Sequence, residues 1–437
     1  MHANLSLQQS PPFSVPARFF ISAPLFGLAA ALVMLWYGPE IFTNRWTPEL
    51  LAVTHFLTLG FLAMSMCGAM MQLMPVLMGI MIPRPIFFSS IIHASLFLGS
   101  ASLGIAWLLH INTLFIIAMA SLAFSFSVFI LMATERLLRS KNQHATRGMM
   151  LLALLALFIT AIFGLYLAMG YANQTWPLSR HLTDLHLSWG LLGWVALLIM
   201  AVAYQVIPMF QITDEYPVLH QRWIGWIVFV TLLTLSLTYF WPLTILNTIT
   251  SALLATCLLT FAVTTLWVLQ TRRRQLADLT MNFWQLAMIS LIFLALTWLI
   301  PTLIQANTPI FLLGVLMIFG FAMSTVNGMM YKIFPFLIWL HLSTHNKNLR
   351  DQGKRESQVK VPHMRKIIPE TAGLWQFRFH LASLILLALA TNWPQWFYYP
   401  AALLFIISQL TLIFNLSNAV RFYNLKIIEL ELNIHPH

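Results

Sequence analysis

Charge is what this chain has least of. Only 8% of its 437 residues are Asp, Glu, Lys or Arg, against roughly 25% in an ordinary soluble domain. A water-exposed globular surface is excluded. Cysteine is nearly absent: Cys67 and Cys257 are the only two, and both sit inside apolar runs. They supply neither a disulfide framework nor a paired metal motif. The twelve Asp and Glu residues fall in loops or at the ends of apolar runs, with Asp184 the deepest. No carboxylate lies at mid-membrane, which argues against a carboxylate proton relay or a carboxylate-driven symporter. A P-loop, an HExxH and a CxxC are all missing, and no Ser/His/Asp set is placed by spacing.

Apolar sequence is what the chain has in quantity. Hydrophobic residues make up 59% of it, and its mean hydropathy is +0.81. Apolar runs of about 20 residues recur, the length that crosses a hydrocarbon core. Run length and the breaks between runs predict an all-α polytopic membrane protein of twelve transmembrane helices. They cover about 17–38, 51–75, 86–109, 111–133, 148–171, 183–209, 223–241, 243–269, 281–304, 309–334, 375–392 and 397–420. The first reads as part of the bundle, not as a cleaved signal peptide.

The net charge of +11 points to a lipid bilayer and not to nucleic acid. The basic residues gather in one set of loops: Arg84; Arg136, Arg139, Lys141 and Arg147; Arg222; Arg272 to Arg274; and seven between Lys347 and Lys366. The other set has Arg45 and Arg180. The rich side is expected to be cytoplasmic. Both termini then lie inside, in a bacterial inner membrane. The 342–374 stretch reads as a flexible cytoplasmic linker near acidic headgroups.

A repeat organises the spans. Gln72-Leu73-Met74-Pro75, Gln205-Val206-Ile207-Pro208 and Lys332-Ile333-Phe334-Pro335 end three apolar runs. The prolines are 133 and 127 residues apart. A period of that size implies three four-helix repeats within one membrane domain, about 17–135, 148–270 and 281–421. Spans two, six and ten carry the mark. The aligned Gln72, Gln205 and Lys332 suggest a polar collar where those three converge.

His55 and His186 lie near the outer ends of spans two and six, about four residues or roughly 6 Å deep. Histidine at that depth needs a partner, a ligand or a cavity. Gly190 and Gly193 follow His186 at i+4 and i+7, one helical face, and form a smooth groove where a flat nitrogen-ligated group such as haem fits. Small residues at that spacing also serve close helix packing. Met66, Met70, Met74 and Met78 recur at i+4, beside Met64, Cys67, Met71 and Met81. Soft sulfur selects Cu(I), and methionine also simply fills cores. His93, His110, His341, His345, His363 and His380 read as structural or interfacial.

Twelve spans in three quartets, with His55, Gly68, Ala69 and Pro75 on the second and His186 on the sixth, resemble the catalytic subunit of haem-copper oxidases and nitric oxide reductases. They also resemble the NnrS-type relatives linked to nitric oxide stress. The resemblance implies that His55 is an axial ligand of a haem b and that His186 matches a ligand of the copper centre. It implies partners in the respiratory chain or in denitrification. The family's histidine pair on helix seven has no counterpart in span 223–241, and its helix-ten histidines are replaced by Phe311-Leu312-Leu313-Gly314-Val315. The expectation is therefore a scaffold that binds haem or copper through His55 and His186, and not a working terminal oxidase. Two other readings stay open: a secondary transporter of a small solute or metal, and a cofactor-free structural partner of a respiratory complex.

Overall fold

The computed structural model describes residues 10–140, 145–173, 176–179, 182–241, 243–274, 278–354 and 357–434. Lys141, Arg180 and Arg355 fall outside them. Twelve helices are long and apolar enough to cross a membrane, and the described residues contain no strand. They are α1 (Ser14–Phe42), α2 (Pro48–Val76), α3 (Pro85–Leu109), α4 (Asn112–Arg139), α5 (Ala145–Ala172) and α6 (Leu182–Gln211), followed by α7 (Val218–Tyr239), α8 (Thr244–Gln270), α9 (Leu279–Ile304), α10 (Ile310–Asp351), α11 (Glu370–Ala390) and α12 (Pro394–Asn433). The protein is an all-α, multi-pass membrane protein.

Consecutive helices pack as neighbours, and α12 returns to pack along α1. Burial separates an inner set from an outer one. The apolar windows of α2, α6 and α10 are 72%, 78% and 67% buried, and no other helix exceeds 56%. These three are the helices that carry the repeat.

Each inner helix is interrupted by an eight-residue π-helical segment: Phe56–Ala63, Trp189–Ala196 and Leu316–Met323. Each begins 19 residues before the marked proline. Such π segments are uncommon and are enriched at functional sites. Gly60, Gly193 and Gly320 sit at matching places within them. A Cβ at each would strike the first helix of the same quartet: Phe26 at Gly60, the Ala156 Cβ at 2.7 Å from Gly193, the Ser290 Cβ at 2.6 Å from Gly320. The absence of a side chain lets two backbones approach at each π segment.

A second contact recurs in the first and third quartets. A Cβ on Gly68 would lie 2.6 Å from the Phe19 Cβ, and one on Gly328 the same distance from that of Phe283. The two phenylalanine rings lie 5.2 Å from His93 and 6.0 Å from His380. Both histidines accept or donate one hydroxyl hydrogen bond, to Ser22 at 2.8 Å and to Ser324 at 2.9 Å.

The marked polar residues do not form a collar. Gln72 Nε2 donates to Ser10 Oγ (2.9 Å), Gln205 Nε2 to Thr146 Oγ1 (3.2 Å), and Lys332 Nζ to Asp278 Oδ2 (2.6 Å). Each partner lies at or just before the start of the first helix of its own quartet. A buried polar end must find a hydrogen bond, and the nearest chain start provides it locally.

The 342–374 stretch carries local structure among its described residues. α10 runs through it to Asp351. Asn346 then pins the returning chain: its Nδ2 donates to the Val359 carbonyl (2.8 Å), and its Oδ1 accepts from the Val359 amide (3.1 Å). Val359, Ile367 and Ile368 are buried. Apolar anchors at those three positions, hidden among basic residues, hold the segment down.

Candidate functional site

His55 closes the first helical turn run of α2, directly before the π segment that begins at Phe56. Its Nδ1 lies 2.8 Å from the Leu51 carbonyl one turn back. His186 lies three residues before the π segment of α6, and its Nδ1 is 3.1 Å from the Thr160 carbonyl on α5. A carbonyl only accepts, so in the neutral ring each Nδ1 carries the proton and each Nε2 keeps its lone pair. Among the described residues no protein group bonds to either Nε2.

The two imidazoles meet. Their ring centroids are 6.2 Å apart and their planes are within 16° of parallel. Counted from the prolines, the residues are not in identical register: His55 precedes Pro75 by 20 residues and His186 precedes Pro208 by 22. Tertiary packing, and not strict repeat symmetry, puts them side by side. Gly164 on α5 makes room, since a Cβ there would sit 2.9 Å from His186 Cε1.

Both histidines face a cavity of about 310 Å³ bounded by α2 to α6, the N-terminal end of α10, the end of α1 and the 43–47 turn. That lies at the lower end of ligand-pocket volumes. Its wall is almost wholly apolar. Trp107 leans over His55 at 4.6 Å between centroids, and Tyr171, Phe311 and Phe42 extend the aromatic lining. The Nε1–H groups of Trp107 and Trp194 are buried in that wall with no hydrogen-bond partner among the described residues. Gly314 lines the cavity with nothing within 4 Å of a built Cβ. At the N-terminal end of α10, Phe311, Gly314 and Val315 line the cavity with apolar surface.

Arg45 is the one Lys or Arg among the described residues of the wall. Its Nη1 is 2.6 Å from Asp184 Oδ1, and its guanidinium lies 4.3 Å over the Trp46 ring. The ion pair ties the turn before α2 to the first turn of α6.

Gly190 lines the cavity, with Thr160 Cγ2 3.2 Å from its built Cβ. Gly193 does not: it is the packing glycine of the second π segment, against Ala156. The groove expected beneath His186 is therefore not built from Gly193. Face arithmetic at 3.6 residues per turn fails across a π segment, and the period that aligns Gly60, Gly193 and Gly320 was the sequence signal for the scaffold role. The methionines of α2 are core: Met64, Met66, Met70, Met71 and Met74 are buried, and Met81 is exposed.

The seventh helix does carry a histidine. α7 begins at Val218 and includes His220, whose Nδ1 lies 3.0 Å from the Tyr204 hydroxyl. Tyr204 sits toward the proline end of α6, so His220 belongs to the other end of the bundle from His186. Arg45 and Trp107 were missed as site residues: one reads as an ordinary loop charge, the other as an interfacial tryptophan. Among the described residues no group of three or more His, Cys, Asp or Glu is arranged to hold a metal ion. The chain matches no protein-family model and no curated protein sequence.

Proposed function

We propose that this chain is a membrane haem protein in which His55 and His186 would hold the iron of one porphyrin. The observation that carries the reading is the pair itself. The ring centroids are 6.2 Å apart, close enough for both imidazoles to reach one bound group, and neither Nε2 has a protein partner among the described residues. Two imidazoles would suit a group that brings its remaining ligands with it, as haem does, better than a bare ion that needs more protein donors. A copper(I) ion between two imidazoles is the second reading. It accounts for the histidines but not for the 310 Å³ of apolar space around them.

Bound haem supplies a one-electron redox centre. The protein's part would be to hold two imidazoles by Nδ1 hydrogen bonds to the Leu51 and Thr160 carbonyls, which leaves each Nε2 without a protein partner among the described residues. Orienting hydrogen bonds of this kind set ligand tautomer and basicity. The apolar wall keeps water from the centre. The scaffold is similar to an oxidase subunit with one pair of ligands in place of the full set. That fits electron transfer, sensing or assembly in respiratory or nitric oxide metabolism better than oxygen reduction. The bias of basic residues toward one set of loops supports a topology with both termini in the cytoplasm of a bacterial cell.

The test is purification from haem-replete cells followed by an absorption spectrum and metal analysis. A Soret band with one iron per chain, lost in His55→Ala and in His186→Ala, is the expected result. A colourless preparation, or a pigment indifferent to both substitutions, overturns the reading. Solute uptake by proteoliposomes that survives His55→Ala would move the assignment to a transporter. Pigment-free co-purification with a respiratory complex would move it to a structural partner.

A further inference from the structure

We propose that Arg45 is the anion-recognition residue of the cavity, and that it exchanges Asp184 for a carboxylate carried by an otherwise apolar ligand. The inference rests on the cavity being a ligand site, and its haem form rests on the reading above.

The cavity wall holds one cation and no carboxylate among the described residues. A purely apolar ligand gives that cation nothing to do. A ligand with an acid at one end gives it a partner. Arg45 already holds a carboxylate, that of Asp184, by Nη1 at 2.6 Å, and the structure records no other polar partner for it. A guanidinium has five N–H donors in a planar fork that matches a carboxylate. Most of that capacity is left for a second acid.

The two halves of the ion pair differ in a way that favours exchange. The Arg45 side chain is 22% exposed and is held over Trp46, whereas Asp184 is 61% exposed. Asp184 therefore returns to water easily when displaced, and an exposed pair of this kind is weak to begin with. Arg45 stays in place, pre-positioned by the indole face. The same pair links the 43–47 turn to the start of α6. A ligand acid that takes over Arg45 breaks that link and anchors itself in one move. Inside, the unpartnered Nε1–H groups of Trp107 and Trp194 offer donors to any acceptor deeper in the ligand.

Two sources supply this chemistry: the propionates of haem and the headgroup of a free fatty acid. Titration of the purified apoprotein in nanodiscs with haemin and with haemin dimethyl ester separates them. A charged hydrogen bond lost on esterification predicts haemin binding about tenfold tighter than the ester. Arg45→Gln is expected to weaken haemin about tenfold, leave the ester unchanged and so remove the preference; Arg45→Lys keeps part of it. Asp184→Asn is expected to tighten haemin. Equal affinity of the wild type for acid and ester, or an Arg45→Gln loss that falls on both alike, overturns the proposal while leaving haem binding intact. If neither porphyrin binds, the haem reading fails by itself. Oleate against methyl oleate, followed by tryptophan fluorescence, then decides Arg45: an Arg45-dependent preference for the acid supports it, and no preference overturns it.

Discussion

Lys332 Nζ lies 2.6 Å from Asp278 Oδ2, and the two side chains are only 11% and 10% exposed. It is the third occurrence of a contact that Gln72 and Gln205 make with Ser10 and Thr146. Only here has a neutral hydrogen bond become an ion pair. The same geometry is conserved in kind across the quartets while its chemistry differs.

Burial alone would raise the Asp278 carboxyl, but the Lys332 ammonium and the Thr280 hydrogen bonds outweigh it and hold the group below the usual carboxylate range. A depressed folded value means stability that is present above the unfolded value, about 3.9, and lost as pH falls through the folded one. Acid unfolding below about pH 4 is therefore expected to be partly due to this pair. Asp278→Ala leaves a buried ammonium alone and is expected to cost about 3–5 kcal/mol, whereas Asp278→Ala with Lys332→Met recovers most of it. Thermal unfolding in detergent across pH 3 to 7 checks both; a single variant as stable as the double one would show the pair to be unimportant.

Gly193 and Gly148 are predicted to separate. Gly193→Ala forces a methyl to 2.7 Å from the Ala156 Cβ, with no flexible side chain to yield. Overpacking of that kind costs about 1–3 kcal/mol. Gly148→Ala, with open space around it, is expected to be neutral or slightly stabilising. Melting temperatures measured side by side check this; the reverse order would mean the π segments do not pack as described.

Gly164→Ala acts on the ligand and not on the core. The added Cβ meets His186 Cε1 at 2.9 Å and turns the ring off the His55 axis. The expected outcome is weaker haem retention and an altered spectrum with a near-normal melting temperature. An unchanged spectrum would mean His186 does not contribute a ligand.

His93→Gln and His380→Gln are expected to leave the spectrum alone. Both rings are committed to serine hydroxyls and to phenylalanine faces inside their own quartets, and neither lines the cavity. Loss of pigment in either variant, with the protein still folded, would relocate the site.

The spans were legible because hydropathy is a local property: about 20 apolar residues cross a membrane whatever they pack against. The marked prolines gave the period, and His55 and His186 stood out because imidazoles are scarce at that depth. Rotation about a helix axis is not local. Which face of α6 meets α5 depends on the extra turn width of Trp189–Ala196, so Gly193 fell to packing. The partner of Lys332 depends on where α9 starts, and so no collar formed. Sequence determined the number of helices, the identity of the inner three and the presence of two imidazoles. Tertiary structure decided that those imidazoles lie 6.2 Å apart at one cavity, because which helix ends become neighbours is set by packing between residues far apart in sequence.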